Sequence, residues 1–288
     1  MRPSRLIIGC GYLGRRAARR WVAQGDRVFA LTRSESNAAE LRELGVTPIL
    51  GDVLDPSSLR SLPSTDTLLY AVGLDRNSGR SQREVYVDGL RSVLAELPAS
   101  RPRIIYISST SVYGQSAGEW VDEESECKPA SPGGKVCLEA EELLRREAPS
   151  AQILRLAGIY GPGRLIARIE QLRNGSPLSG NPQAWLNLVH VEDAVSAVIA
   201  SDRRGLPGST WLVSDDRPSH RREYYDLLAW LVGAPAPRFA EPESPADQQL
   251  NKRCRNRRLR EALHVELRFP TIALGLPDAV MQGEAAVA

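Results

Sequence analysis

The sequence has few of the residues that build disulfide frameworks or zinc clusters. It contains four cysteines and three histidines in 288 residues, and none of the cysteines forms a CxxC pair. Widely spaced thiols of this kind predict reduced cysteines and a cytoplasmic protein. We also expect no metal site, because the clustered ligands that zinc requires are missing.

The sequence also lacks a long hydrophobic run and an excess of one charge. No stretch approaches the roughly 20 apolar residues of a membrane span, and the run before Cys10 is too short for a signal peptide. The 37 basic and 35 acidic residues leave a net charge of +2, which argues against a nucleic-acid partner. We expect a small-molecule substrate, with an anionic one left open, no membrane association, and a monomer or homodimer.

Short apolar runs separated by helical patterns dominate the first half of the chain. Most of them do not alternate with polar residues, which is typical of strands buried on both faces of a parallel sheet. The runs span 5–9, 27–32, 47–50, 67–73, 103–108 and 151–156. With helices predicted through Ala23 and around 38–44, the pattern indicates an α/β fold with a Rossmann-type doubly wound parallel sheet.

The last third of the chain has a different character. After about Gly158 it is rich in glycine and proline, with strand-like segments at 185–191 and 210–213. We therefore predict a Rossmann-type cofactor domain over 1–157, to which 185–213 returns. A smaller substrate-binding region is predicted to comprise 158–184 and 214–288.

A G-x-G-x-x-G pattern stands directly between the first predicted strand and the first helix. Its glycines are Gly9, Gly11 and Gly14. The first glycine permits a tight turn, the second lets a pyrophosphate approach the backbone, and the third lets helix and strand pack closely. A strand before the loop and a helix after it favour a dinucleotide site over a glycine-rich turn without a ligand.

The end of the second strand indicates which dinucleotide is bound. NAD sites usually carry an acidic residue there, whereas this chain has Thr32, Arg33 and Ser34. A guanidinium can hold a 2′-phosphate that a carboxylate would repel, so the sequence favours NADP(H) over NAD(H). The alternative is that Arg33 is an ordinary surface residue.

Asp52 follows the third strand and has two interpretations of equal weight from its chemistry alone. Its carboxylate can accept a hydrogen bond from an adenine amino group, or it can serve a turn. The neighbouring Asp55-Pro56 pair is typical of a helix start.

Three further motifs join the glycine loop in one order. They are YISSTSVYG (106–114), LRLAGIYGPGR (154–164) and LNLVHVEDAVSAV (186–198). Together they resemble the extended short-chain dehydrogenase/reductases of the NAD(P)-dependent epimerase/dehydratase type. The segments LEAEELL (138–144) and NKRCRNRRL (251–259) are more similar to an atypical, sugar-nucleotide epimerase-like branch. The resemblance spans nearly the whole chain, and it is more specific for fold and cofactor than for the reaction.

The resemblance implies functional residues position by position. Ser109 matches the catalytic serine or threonine, with Thr110 as the alternative register, and Lys135 matches the active-site lysine that also binds the cofactor ribose. His190 and Asp193 match a structural H-V-x-D element. With the residues predicted from the glycine loop and from the end of the second strand, the predicted cofactor-binding residues are Gly9, Cys10, Gly11, Tyr12, Leu13, Gly14, Thr32, Arg33, Ser34, Asp52, Val53, Ala71, Val72, Gly73, Lys135, Ala157 and Ile159.

One part of the family pattern is missing. The family's Tyr-x-x-x-Lys places tyrosine four residues before the lysine, and this chain has Ser131 there. A serine hydroxyl is too short and too weakly acidic to replace a phenol directly. Three hypotheses remain: another group such as Tyr113 supplies the proton, a water held by Ser109 and Ser131 does so, or the protein binds NADP(H) without turnover. Tyr113 has the competing interpretation of a packing residue beneath the site.

The sequence thus predicts an NADP(H)-dependent oxidoreductase or epimerase/dehydratase acting on a small polar substrate, with nucleotide-sugars included. The alternative from another class is a non-catalytic NADP(H)-binding regulator. A basic stretch at 251–260 either faces an anionic group of the substrate or forms a solvated helix face.

Overall fold

The computed structural model describes residues 2–75, 77–98, 101–240 and 251–285. The strands of these residues are, in chain order, β1 (Ser4–Ile8), β2 (Arg27–Thr32), β3 (Thr47–Leu50), β4 (Thr67–Tyr70), β5 (Arg103–Ser109), β6 (Glu119–Val121), β7 (Gln152–Leu156), β8 (Gly158–Tyr160), β9 (Trp185–Leu186), β10 (Leu188–His190), β11 (Thr210–Val213), β12 (Ser219–His220) and β13 (Lys252–Cys254).

The helices of the same residues follow in chain order. They are α1 (Tyr12–Ala23), α2 (Glu35–Glu43), α3 (Pro56–Leu59), α4 (Gly89–Glu96), α5 (Pro132–Glu147), α6 (Ile166–Arg173), α7 (Val191–Arg204), α8 (Arg221–Leu231), α9 (Arg257–Ala262) and α10 (Ile272–Ala285). A π-helical turn at Glu84–Asp88 leads into α4, and a 3-10 turn at Thr110–Val112 follows β5.

Seven strands form one sheet in the order β11-β7-β5-β4-β1-β2-β3. The pairs β1–β2, β1–β4, β2–β3 and β4–β5 are parallel. The order reverses between β1 and β4, and the carboxyl ends of strands at such a reversal are where doubly wound folds bind ligands. The predicted Rossmann-type fold is confirmed.

The strands of the sheet are buried on both faces, which explains why their apolar runs predicted them. Leu6, Ile7 and Ile8 of β1 are completely buried, as are Leu68 and Leu69 of β4. Consecutive residues of a strand point to opposite faces, so burial of neighbours means that both faces of the sheet are covered. Helix α1 covers one face with Ala17, Ala18 and other buried residues.

The chain divides into two compact units. The first comprises Met1–Val112, Ser131–Arg155 and Ala197–Trp211, and the second comprises Tyr113–Ala130, Leu156–Ser196 and Leu212–Ala288. Segments 113–130 and 185–196 thus belong to the second unit, whereas the sequence-based boundaries place them with the cofactor domain. No helix within the described ranges has the length and apolar character of a membrane span.

Two segments of the second unit differ from their sequence-based prediction. The apolar run 185–191 is divided between the short strands β9 and β10, and Val191 already begins α7. Short apolar runs do not distinguish one strand from several by their periodicity. The basic stretch 251–260 contains the strand β13, paired in parallel with β6, before α9 begins.

Candidate active site

The glycine loop lies at the carboxyl ends of β1 and β4 and is held there by close backbone packing. Ile8 accepts a hydrogen bond from the Ala71 backbone N–H at 2.7 Å. Gly9 has φ +92°, and a Cβ added to it would lie 2.4 Å from the Ala71 carbonyl carbon. Only glycine tolerates both the left-handed backbone and this approach.

The other two glycines of the loop have distinct surroundings. A Cβ on Gly14 would lie 2.7 Å from the Gly9 carbonyl oxygen, so this glycine lets α1 pack against β1. A Cβ on Gly11 would meet nothing within 4 Å. Gly11 precedes the first residue of α1, whose first turn carries no acidic side chain. An open approach to the amino end of a helix fits a pyrophosphate.

Side chains around the loop make local contacts. The Arg15 guanidinium is ion-paired with Glu40, and the Arg16 guanidinium lies over the Tyr12 ring, 4.1 Å from its centroid. Burial raises the pKa of the Cys10 thiol to about 12, despite the nearby positive charge of Arg15. Cys10 is therefore neutral at physiological pH and shapes the loop without adding charge.

The carboxyl end of β2 presents the residues predicted to select the dinucleotide. Arg33 is half exposed, and its Nη2 lies 3.4 Å from Asp75 Oδ2. Ser34 caps α2 by accepting a hydrogen bond from the Asn37 N–H at 3.3 Å. A guanidinium beside the amino end of a helix is an arrangement suited to a phosphate.

Asp52 occupies a turn beyond β3. Its Oδ1 accepts a hydrogen bond from the Leu54 N–H at 2.9 Å, and Asp55 caps α3 as the sequence predicts. Val53 is buried in the hydrophobic core. The turn thus holds the Asp52 carboxylate in place. Its role in the turn is compatible with the predicted contact with adenine.

The carboxyl ends of β4 and β5 bring the predicted catalytic serine level with the loop. Tyr70 pairs with Tyr106 in the register of these strands, and three residues further along lie Gly73 and Ser109. A Cβ on Gly73 would meet nothing within 4 Å. The Ser109 hydroxyl accepts a hydrogen bond from the Ser111 N–H at 3.1 Å, so it remains able to donate.

Helix α5 shows what the serine at the missing tyrosine position does. Ser131 is the N-cap of α5, and its Oγ accepts a hydrogen bond from the Gly134 N–H at 3.1 Å. Lys135 ends the first turn with its side chain exposed, and its N–H donates to the Ser131 carbonyl at 3.1 Å. The serine hydroxyl therefore stabilises the helix start.

A buried charged cluster connects α5 to the strand that carries Ser109. Glu141 of α5 is completely buried and accepts hydrogen bonds from Ser108 Oγ at 2.6 Å and Arg155 Nη2 at 2.8 Å. Arg145 Nη2 also contacts its carboxylate, at 2.8 Å. Because Ser108 precedes Ser109, this cluster fixes the end of β5 against α5.

Comparison with known proteins agrees with this arrangement. Residues 6–213 match the model of the NAD dependent epimerase/dehydratase family. The chain belongs to this family. It is 30% identical to Protein YeeZ of Escherichia coli over 240 residues, which cover 81% of this chain and 85% of the relative.

Other members of the NAD dependent epimerase/dehydratase family cover similar lengths. The 2-alkyl-3-oxoalkanoate reductase of Stenotrophomonas maltophilia is 28% identical, over 79% of this chain and 74% of its own. A solved protein of Methylobacillus flagellatus, assigned to the NAD-dependent epimerases/dehydratases, is 33% identical, covers 98% of both chains and superposes with a TM-score of 0.79. Nicotinamide dinucleotides are the general cofactors of the family.

The remaining predicted residues lie in the second unit. Ala157 is buried and its N–H donates to Val213, while Ile159 is part of β8. The Asp193 carboxylate accepts hydrogen bonds from the Arg268 and Phe269 N–H groups at 2.7 and 2.9 Å. His190 is completely buried beside Asp278. These contacts are those of a structural element.

Tyr113 has the surroundings of a packing residue. Its side chain is completely buried, and its carbonyl accepts a hydrogen bond from Lys252 Nζ at 3.0 Å. Desolvation lowers the pKa of this buried lysine. A phenol with no exposed surface is a poor proton donor to a substrate, so the structure favours the packing interpretation.

The basic stretch 251–260 is engaged in contacts within the second unit. Arg253 donates to the Gly118 carbonyl at 2.8 Å and lies over Trp120, 4.8 Å from the ring centroid. Arg260 is ion-paired with Asp216 at 2.7 Å and Arg257 with Glu261 at 2.8 Å. An anionic substrate that contacted this stretch would therefore have to compete with these existing partners.

Two residues near the candidate site were missed by the sequence reasoning. Asp75 faces Arg33, and Tyr86 places its hydroxyl 3.3 Å from the Leu74 N–H, directly beyond Gly73. No motif marks either position. Their partners are distant in the chain, because Asp75 lies 42 residues from Arg33 and Tyr86 lies 12 residues from Leu74.

Proposed function

We propose that this family member is an NADP(H)-dependent oxidoreductase acting on the carbonyl or hydroxyl group of a small polar substrate. The observation that carries the proposal is the contrast between two glycines of the loop. The fold requires glycine at position 9, where a Cβ would clash with the Ala71 backbone, whereas the space beside Gly11 is open. A loop that only turned the chain would not need an open second glycine. A reductase among the relatives supports this direction over epimerisation or dehydration, which the family also performs.

The cofactor would supply or accept hydride, and the residues of the first unit would hold it. The Gly9–Gly14 loop and the amino end of α1 suit the pyrophosphate, and Asp52 suits the adenine. Lys135 suits the ribose hydroxyls, because one ammonium can donate to two oxygens. Ser109 suits a substrate oxygen, because its hydroxyl accepts from the backbone and can still donate.

Replacing Arg33 with alanine tests the choice between NADP(H) and NAD(H). We expect the affinity for NADPH to fall by about 1.5–3 kcal/mol, the scale of a charge-assisted hydrogen bond, with little change for NADH. Calorimetric titration of both cofactors measures the ratio. Arg42→Ala is the control, because Arg42 is equally exposed and already pairs with Glu35 at 2.8 Å. Equal loss for both cofactors, or an unchanged ratio, would contradict NADP(H) selection.

Replacing Lys135 with alanine tests the ribose contact. We expect NADPH binding to weaken by about 1.5–3 kcal/mol for each hydrogen bond that is lost. Ser131→Ala is the matched comparison on the same helix turn: it removes the N-cap and costs about 1 kcal/mol of stability, with cofactor affinity unchanged. Calorimetry and urea denaturation separate the two effects. The contact is refuted if Lys135→Ala binds NADPH like the wild type.

Turnover is tested by mixing protein and NADPH in equal amounts with a panel of probes. The panel contains a 2-alkyl-3-oxoalkanoate, other aliphatic ketones and aldehydes, and UDP-glucose. We expect NADPH to be oxidised with at least one carbonyl probe and the rate to be lost in Ser109→Ala.

A non-catalytic NADP(H)-binding protein is the second candidate function. It is favoured by one observation, the use of the Ser131 hydroxyl as a helix cap where the family carries a phenol. Tight NADPH binding without oxidation by any probe would support it.

A further inference from the structure

The first unit contains a phenol outside α5 at the edge of the sheet where the candidate site lies. Its described tyrosines are Tyr12, Tyr70, Tyr86 and Tyr106. Tyr70 and Tyr106 are buried and stacked with ring centroids 5.7 Å apart, and burial raises the pKa of both hydroxyls. Tyr12 lies at the glycine loop beneath Arg16. Tyr86 remains as a half-buried phenol near Gly73.

The backbone places the Tyr86 hydroxyl beyond the carboxyl end of β4. Its oxygen accepts a hydrogen bond from the Leu74 N–H at 3.3 Å. Because this contact uses the oxygen as an acceptor, the hydroxyl proton is available to another group. Among the residues that the structure describes, no acceptor for that proton is found.

The turn that carries Tyr86 packs against the helix that carries Lys135. Arg83, three residues before Tyr86, donates to Glu139 of α5 at 2.7 Å. Lys135 and Glu139 are four residues apart and share one face of α5. At the start of the same helix, a Cβ on Gly133 would lie 3.1 Å from Gln82 Oε1. The segment 82–86 therefore borders the part of α5 from which the family's tyrosine would project.

The backbone of this segment forms a π-helical turn, an unusual conformation. Tyr86 is the central residue of the π-helical turn Glu84–Asp88. Isolated π turns inside helices are frequent at functional sites, because the extra residue changes the direction of a side chain. Here the turn lies between the ion pair at Arg83 and the buried start of α4.

We propose that Tyr86 is the proton donor of this site and replaces the phenol that is absent at position 131. The inference rests on the oxidoreductase proposed above. If a nicotinamide cofactor bound here supplied hydride to a carbonyl carbon, the substrate oxygen would require a proton. The Tyr86 O–H bond breaks, a new O–H bond forms on the substrate oxygen, and the phenolate regains a proton from water.

The first arm of the test detects proximity and needs no turnover. The protein is labelled with 3-fluorotyrosine, and the fluorine resonances are assigned with Tyr→Phe variants. We expect addition of NADP⁺ to shift the resonance of Tyr86 and to leave that of Tyr225, a buried tyrosine of α8, in place. An unmoved Tyr86 resonance at saturating NADP⁺ overturns the proposal and leaves the proposed function standing.

The second arm measures chemistry in Tyr86→Phe, which keeps the ring. We expect its NADPH affinity to match the wild type and its single-turnover rate with the carbonyl probe to fall roughly 10²–10⁴-fold, the usual contribution of a positioned acid. The wild type should show a solvent deuterium isotope effect on this rate that the variant changes. Tyr106→Phe is the control and should retain the wild-type rate.

The outcomes separate the two proposals. A rate in Tyr86→Phe within threefold of the wild type overturns the role of Tyr86, while the oxidoreductase stands. If the wild type binds NADPH but turns over none of the probes, the role of Tyr86 is also overturned, and the non-catalytic alternative is favoured. Failure of the wild type to bind NADPH at all refutes the proposed function itself.

Discussion

Gly9→Ala is expected to destabilise the first unit and abolish cofactor binding. The added methyl would overlap the Ala71–Val72 backbone, with contacts of 2.4 and 2.5 Å, at a residue with φ +92°. Overpacking costs about 1–3 kcal/mol and the left-handed backbone about 1–2 kcal/mol more, so we expect a total loss of about 2–5 kcal/mol. Urea denaturation measures the stability, and calorimetry measures NADPH binding.

Gly11→Ala is the control for this expectation. Its methyl would meet no atom within 4 Å, so stability should change by less than about 1 kcal/mol. NADPH affinity should still fall at least about tenfold, because the methyl occupies the approach of the pyrophosphate. The assignment of the loop would be contradicted if Gly11→Ala bound NADPH as tightly as the wild type, or if Gly9→Ala were as stable.

Removing the Glu141 carboxylate is the second change with a large expected effect. Glu141→Ala removes the buried carboxylate to which Arg155, which is 3% exposed, donates hydrogen bonds. Breaking a buried ion pair by removing one member costs about 3–5 kcal/mol. Glu142→Ala is the matched control, because the neighbouring side chain on α5 is exposed and should change stability by no more than about 0.5 kcal/mol.

The consequence of this substitution should extend to Ser109. The hydroxyl of Ser108 loses the carboxylate that fixes it at 2.6 Å, and Ser109 is the next residue of β5. Equilibrium urea curves at constant m-value give the stability loss. A Glu141→Ala protein within 1 kcal/mol of the Glu142→Ala protein would show that the cluster contributes little.

The sheet and the loop were predictable because their signals are local. The strands at 27–32 and 47–50 were predicted with the bounds that the structure has, from apolar runs buried on both faces. The helix start at Asp55-Pro56 was likewise predicted from its cap residue. Each signal depends on neighbours in the sequence, and so sequence reasoning can use it.

The residues that were missed depend on distant partners. The Tyr86 hydroxyl contacts the Leu74 N–H, and Asp75 faces Arg33. The residues next to Tyr86 and Asp75 in the sequence do not indicate these contacts. The strand β13 lies in a basic stretch with no β-pattern, and it forms because β6, more than a hundred residues earlier, provides its partner. Periodicity cannot report contacts of this kind.

The pairing of β6 with β13 also implies an order in which the two units can fold during synthesis. The first unit is complete in sequence at Trp211, whereas the second needs Lys252 for Tyr113 and β13 for β6. A chain emerging from the ribosome can therefore assemble the seven-stranded sheet before β13 is available to pair with β6. At that stage Arg253 does not yet lie over Trp120. Unpaired edges and apolar surface invite wrong association during synthesis. Segment 113–130 is thus where we expect a nascent chain to depend most on protection by chaperones.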